Sequence, residues 1–124
     1  MLHHISFGVA DLPTSARFYD AALGALGYRR VYEDPTAVGY GIHDGQDKLL
    51  LKLVPQATAP GPGFHLAFAA PSQDAVNEFH ARAVAAGGTD NGPPGLRPNY
   101  GPNYYAAFVI DPDGHHVEAV INGQ

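Results

Sequence analysis

No cysteine occurs among the 124 residues, which excludes disulfides, thiolate metal sites and a cysteine nucleophile. Basic residues are few. Seven Lys and Arg stand against twelve Asp and Glu, and the seven are scattered, so no basic patch supports nucleic-acid binding. No apolar run approaches membrane-spanning length, and the opening MLHHISFG lacks the basic-then-apolar pattern of a secretion signal. A cytoplasmic protein with neither a membrane nor a nucleic-acid partner is therefore expected. No G-x-G-x-x-G opens a helix, and no nucleophile elbow or Ser/His/Asp arrangement is visible. What is present is an ordinary globular composition, 45% hydrophobic and 15% charged, at a length that suits one domain with its own core.

Within that composition the chain repeats itself at an offset of 61 residues. His4 opens HISFGVAD and His65 opens HLAFAAPS; the same offset superposes Phe18 on Phe79, Ala22 on Ala83, Leu23 on Val84 and Gly27 on Gly88. A duplication of this kind implies two like modules that pack against each other about a pseudo-twofold axis. Paired histidines would then converge on one pocket.

Each module has legible elements. Residues 3–9 alternate, with Ile5, Phe7 and Val9 on one face and His4, Ser6 and Gly8 on the other, which describes a strand with one buried side. Asp11 can cap a helix beginning near Pro13, whose apolar face is Phe18, Tyr19, Ala22, Leu23 and Leu26. Strands are expected at 29–33, 37–42 and 48–54, separated by Asp34-Pro35 and Asp44-Gly45 turns. After a Pro- and Gly-rich linker the order restarts: a strand at 64–69, Ser72 capping a helix to about Ala86 with Val76, Phe79, Ala83 and Val84 inward, and strands near 104–110 and 115–121 around the Asp111-Pro112-Asp113-Gly114 turn. The long segment 91–103, heavy in Pro, Gly, Asn and Tyr, reads as a functional loop. The expected fold is α+β: two tandem βαβββ modules (about 1–55 and 64–124, linker 55–63) forming a cup-shaped curved mixed sheet with helices outside.

Alternation also places polar residues. In 48–54 the odd positions face the helix and Lys52 faces the concave side; in the last strand His116, Glu118 and Val120 do the same. Equivalent positions thus deliver His4, Lys52, His65 and Glu118 to one surface. Lys52 and Glu118 are 66 residues apart, so module two carries about five extra residues in its 91–103 loop. His116 reads as a donor to the same pocket or a strand-end residue. His3, His115, His43 and His80 read as surface residues.

With HHISFGVADLPTSARFYDAALGALGY at the start and DPDGHHVEAV at the end, the chain resembles the vicinal oxygen chelate superfamily, which includes glyoxalase I, extradiol dioxygenases and bleomycin-resistance proteins. The resemblance spans nearly the whole chain. It implies that His4, His65 and Glu118 are ligands of one divalent metal (Zn, Ni, Mn or Fe), and that Lys52 stands where a fourth ligand is usual. It also makes a homodimer plausible, since members often dimerise. Two functions follow. One is a metal-dependent lyase, isomerase or dioxygenase acting on a small substrate with vicinal oxygens, with Glu118 and Lys52 as catalytic groups. The other is a metal-free protein that sequesters a small molecule. Lys52 separates them: an ammonium about 5 Å from a dication is repelled by about 6–7 kcal/mol at an effective dielectric of 20, whereas an ammonium paired with Glu118 would take the metal's place. The loop residues Arg97, Tyr100, Tyr104 and Tyr105 combine a cation with phenols and flat apolar surface, suited to an anionic or aromatic ligand.

Overall fold

A computed structural model describes residues 1–123. Strand β1 (Ile5–Val9) leads into α1 (Leu12–Gly24), followed by β2 (Arg29–Asp34), β3 (Ala37–Gly41) and β4 (Asp47–Leu53). Module two repeats the order with β5 (Leu66–Ala69), α2 (Gln73–Ala85), β6 (Thr89–Asp90), β8 (Tyr105–Ile110) and β9 (His116–Ile121), and inserts a two-residue strand, β7 (Gly95–Leu96). The first sheet runs β1-β4-β3-β2 and the second β5-β9-β8-β6, with β7 also on β8. In both, the module's first strand lies parallel to its last and the other pairings are antiparallel. The expected α+β duplication is therefore the observed architecture. The extra residues of 91–103 are not wholly loop: Gly95 and Leu96 pair with Ala106 and Tyr105.

Both helices start where the sequence supplies a cap. The Asp11 carboxylate accepts the N–H of Thr14 at 3.1 Å, and the Ser72 hydroxyl accepts that of Ala75 at 3.0 Å, each satisfying an amide that the helix itself leaves free. Gly27 and Gly87, at φ +94° and +103°, turn the chain out of each helix where a side chain would be strained. Phe18, Tyr19 and Leu23 of α1 and Val76, Phe79 and Ala83 of α2 are buried at helical spacing; Val84, expected inward, is exposed. Each helix covers its own sheet, and α1 packs against α2. Helix faces and the helix-facing strand residues (Leu49, Leu51, Val109, Val117 and Ala119 among them) form one continuous core. This leaves the other face of each sheet open.

The modules are joined by a polar pin at the Asp111–His115 turn. Asp111 is buried and accepts the hydroxyl of Tyr19, from α1, at 2.6 Å. Asp113 accepts the Ser15 hydroxyl at 2.8 Å and the Ala10 amide at 3.0 Å, so both aspartates of a module-two turn bond to module one. His115, expected at the surface, is fully buried: its Nδ1 lies 2.9 Å from Asp111 and its ring stacks on Phe7 with centroids 4.0 Å apart. It points away from the concave face, and the opposite face is the core.

Candidate functional site

Strand alternation in the second sheet brings Glu118 to the open face, beside Ala67 of β5 and Phe108 of β8 in register. Although on that face, Glu118 is only 1% exposed, because neighbours close over its carboxylate. His65, just before β5, places Nε2 at 3.0 Å from Oε1, and Tyr104, just before β8, donates its hydroxyl to Oε2 at 2.5 Å. No lysine or arginine shares this contact. Burial, and then the hydrogen bond to Glu118, push the Tyr104 phenol up to about 12, so it remains a donor across the neutral range.

Above the carboxylate lies an open hollow of about 710 Å³. Phe64, His65, Tyr104 and Phe108 give it aromatic walls, Tyr100 stands 60% exposed at its side, and Asn91, Asn99 and His116 supply polar groups. Tyr100 and Tyr104 meet edge to face with ring centroids 5.3 Å apart. Concavity, aromatic lining and one buried ionisable group are the usual ingredients of a small-molecule site.

Of the four residues expected on one surface, the structure brings together His65 and Glu118. Lys52 lines a separate hollow made by module-one residues, including Tyr32, Asp47 and Leu50. His4 lines a groove between the modules with His3, Lys48 and Phe68, and its Nδ1 lies 2.8 Å from that of His3. The physical reason is the helix-to-helix contact and the Asp111 pin, which fix the two sheets so that each carries its own hollow. Two loop residues also lie elsewhere. Arg97 donates to the carbonyls of Gly95 and Pro93 at 2.9 and 2.6 Å and sits 5.3 Å from the Phe108 ring centroid, bracing the loop from outside the hollow. Tyr105 occupies the helix-facing side of β8 and donates to Asn77 of α2 at 2.7 Å. Tyr104, the neighbour that alternation places on the opposite face, holds Glu118.

A second cluster of metal-ligand type exists. Asp111, Asp113 and His115 bring ligand atoms within 4.8 Å of one another, the one group of three found among the described residues. All four of its carboxylate oxygens already accept hydrogen bonds, from Tyr19, Ser15, His115 and backbone amides. Its donors make a structural knot.

Comparison with known proteins places this geometry. A family model described as the glyoxalase/bleomycin resistance protein/dioxygenase superfamily matches residues 1–119. The chain belongs to that superfamily. Within it, the protein is similar to a glyoxalase/bleomycin resistance protein from Albidiferax ferrireducens T118, at 35% identity over 97% of each chain and a TM-score of 0.83. A glyoxalase-related enzyme from Fulvimarina pelagi is 27% identical, with 98% of this chain and 88% of that one covered and a TM-score of 0.76. Glyoxalase I from Zea mays, 24% identical with a TM-score of 0.75, shares the fold: it matches 98% of this chain with 46% of its own. No curated protein matches the chain in sequence.

The divalent metal implied by superfamily membership can be tested against the donors. One chain offers His65 Nε2 and the Glu118 carboxylate at one place, fewer than the three or four protein ligands such ions take. Both Glu118 oxygens already have partners, and among the described residues no buried side-chain nitrogen or oxygen lacks one. His65 and Glu118 of a single chain do not by themselves make a metal centre.

Proposed function

We propose that this superfamily member binds a small organic molecule in the hollow above Glu118 and needs no metal within one chain to do so. The observation that carries the reading is the buried carboxylate, held by Tyr104 and His65 beneath aromatic walls. The network is satisfied by groups of the chain itself, and it presents the side chain of His65, 54% exposed, to whatever enters. The hollow matches sequestration of a ligand without chemistry, as in resistance proteins. Elemental analysis of protein purified without a histidine tag, together with a thermal-shift screen of small molecules, tests this. Metal-free protein whose melting temperature is raised by organic ligands supports it; one tightly held metal per chain would sink it.

A second reading is favoured by the open faces of the two sheets. In a homodimer, the module-one face of one chain, with Lys52, would meet the module-two face of the other, with His65 and Glu118, and His4 could complete a three-ligand metal set. A dioxygenase, lyase or isomerase acting on vicinal oxygens would then have His4, His65 and Glu118 as ligands and Lys52 as base or anion clamp. When bound, the metal would supply Lewis-acid polarisation of a substrate oxygen. Light scattering and metal titration of Lys52→Glu separate the readings: a dimer whose metal affinity rises in the variant supports the second.

A further inference from the structure

We propose that the ligand of the Glu118 hollow is a planar organic cation, an aromatic ring system carrying a fixed or protonated positive charge. The proposal rests on the reading of that hollow as a binding site. Its first support is the inventory of charge. Among the described residues Glu118 is the one carboxylate lining the hollow, and no lysine or arginine lines it. Lys52 belongs to a different hollow, and Arg97 is committed to two loop carbonyls and the Phe108 ring. A carboxylate removed from water and held by a phenol and an imidazole, with no lysine or arginine in contact, projects a weakly screened negative field into the space above it wherever the imidazole is neutral. An anion placed there would lose its own hydration and find no lysine or arginine in the lining to replace it.

The second support is the wall chemistry. Phe64, Tyr100, Tyr104 and Phe108 present rings whose faces carry the negative part of the aromatic quadrupole. One face of Phe108 is already taken by the Arg97 guanidinium, so the other three rings carry most of this attraction. Flat walls favour a flat guest. A hollow of about 710 Å³ accommodates two or three fused rings, and the side-chain amides of Asn91 and Asn99 offer acceptors for N–H groups at the guest's edge. The sequence suggests an anionic or aromatic ligand from Arg97 and the loop tyrosines; the aromatic part agrees with this proposal, and Arg97 is not among the residues that line the hollow.

The test uses three ring systems of nearly one shape and different charge: 1-methylquinolinium, neutral quinoline in mildly alkaline buffer, and 2-naphthoate. Calorimetric titration of the wild-type protein should show the cation binding at least about tenfold more tightly than quinoline, with naphthoate weakest. Glu118→Gln, which keeps the shape and removes the charge, should bring the cation to within a few-fold of quinoline. Ala67→Lys is the companion variant. Ala67 is exposed and in register with Glu118, so an added ammonium there should weaken the cation without touching the core, and this variant decides the matter if Glu118→Gln does not fold. Naphthoate binding as well as the cation, or cation affinity unchanged in both variants, would overturn the charge assignment and leave the binding site standing. If none of the three binds, the binding reading itself fails and takes this inference with it.

Discussion

Replacing Asp111 by alanine should destabilise the protein more than any exposed-charge substitution. The Asp111 carboxylate accepts the Tyr19 hydroxyl at 2.6 Å, His115 Nδ1 at 2.9 Å, and the amides of Asp113 and His115 at 2.9 and 2.8 Å. Tyr19 is wholly buried and His115 nearly so, which means that water cannot readily replace the lost acceptor at either. Each buried polar group left without a partner costs about 1–3 kcal/mol, so two of them give about 4 kcal/mol before any backbone effect. For a domain of this size that lowers the melting temperature by roughly 12–24 °C. Tyr19→Phe should cost only about 1 kcal/mol, because Asp111 keeps its other donors. The double variant decides the mechanism: with the hydroxyl already gone, Asp111→Ala strands one group fewer, so the two effects should fall short of additivity by about 1–3 kcal/mol. Urea unfolding of the four proteins measures this. An Asp111→Ala melting temperature within about 4 °C of wild type, or strict additivity, would refute the view that the turn pins the modules together.

By contrast, Asp44→Ala removes an exposed partner of Arg29, at 2.7 Å, and should change stability by less than about 1 kcal/mol in the same assay. Tyr104 should ionise near pH 12 in a spectrophotometric titration, and that step should vanish in Tyr104→Phe. Because its folded value lies above the ordinary 10, its stabilising contribution is whole below pH 10, erodes between 10 and about 12 and is gone above. Alkaline unfolding that is identical in wild type and Tyr104→Phe would contradict this. Gly88→Ala should cost about 1–3 kcal/mol, since its methyl would lie 2.6 Å from Phe18 Cε1 and 2.8 Å from the Ala83 carbonyl oxygen. Gly27→Ala, where the methyl meets nothing within 4 Å and only the φ of +94° resists, should cost about 1 kcal/mol; denaturant midpoints that reverse this order would show that the helix contact is slack.

Much of the fold was legible in the sequence because its signals are local. Caps at Asp11 and Ser72, helical spacing of Phe18, Tyr19 and Leu23, and period-two alternation in β1, β4 and β9 each follow from a few neighbouring residues. The same alternation put His65 and Glu118 on one face. It could say nothing of where that face points relative to the other sheet, which is fixed by α1 against α2 and by contacts such as Phe7 on His115. Hence Lys52 and His4 lie apart from Glu118 within the chain. The burial of His115 is also encoded locally: a strand residue directed away from an open face is directed into a core, and the Asp111 four positions earlier supplies its partner. Tyr104 was visible only as one tyrosine among several in a long loop. Its bond to Glu118 depends on how that loop folds back, which no periodic pattern encodes.

The Asp111–His115 turn also governs where the carboxylate of the hollow comes to rest. Strand β9 begins at His116, immediately after the turn, and Glu118 follows two residues later, about 7 Å along the strand. Asp111 and Asp113 anchor that starting point to Tyr19, Ser15 and Ala10, all in the other half of the duplication. The hollow is thus walled by one module and surveyed from the other. A mutation in α1, far from any ligand, can shift the Glu118 carboxylate by loosening its benchmark, and changes in ligand selectivity should be sought there as well as in the aromatic walls.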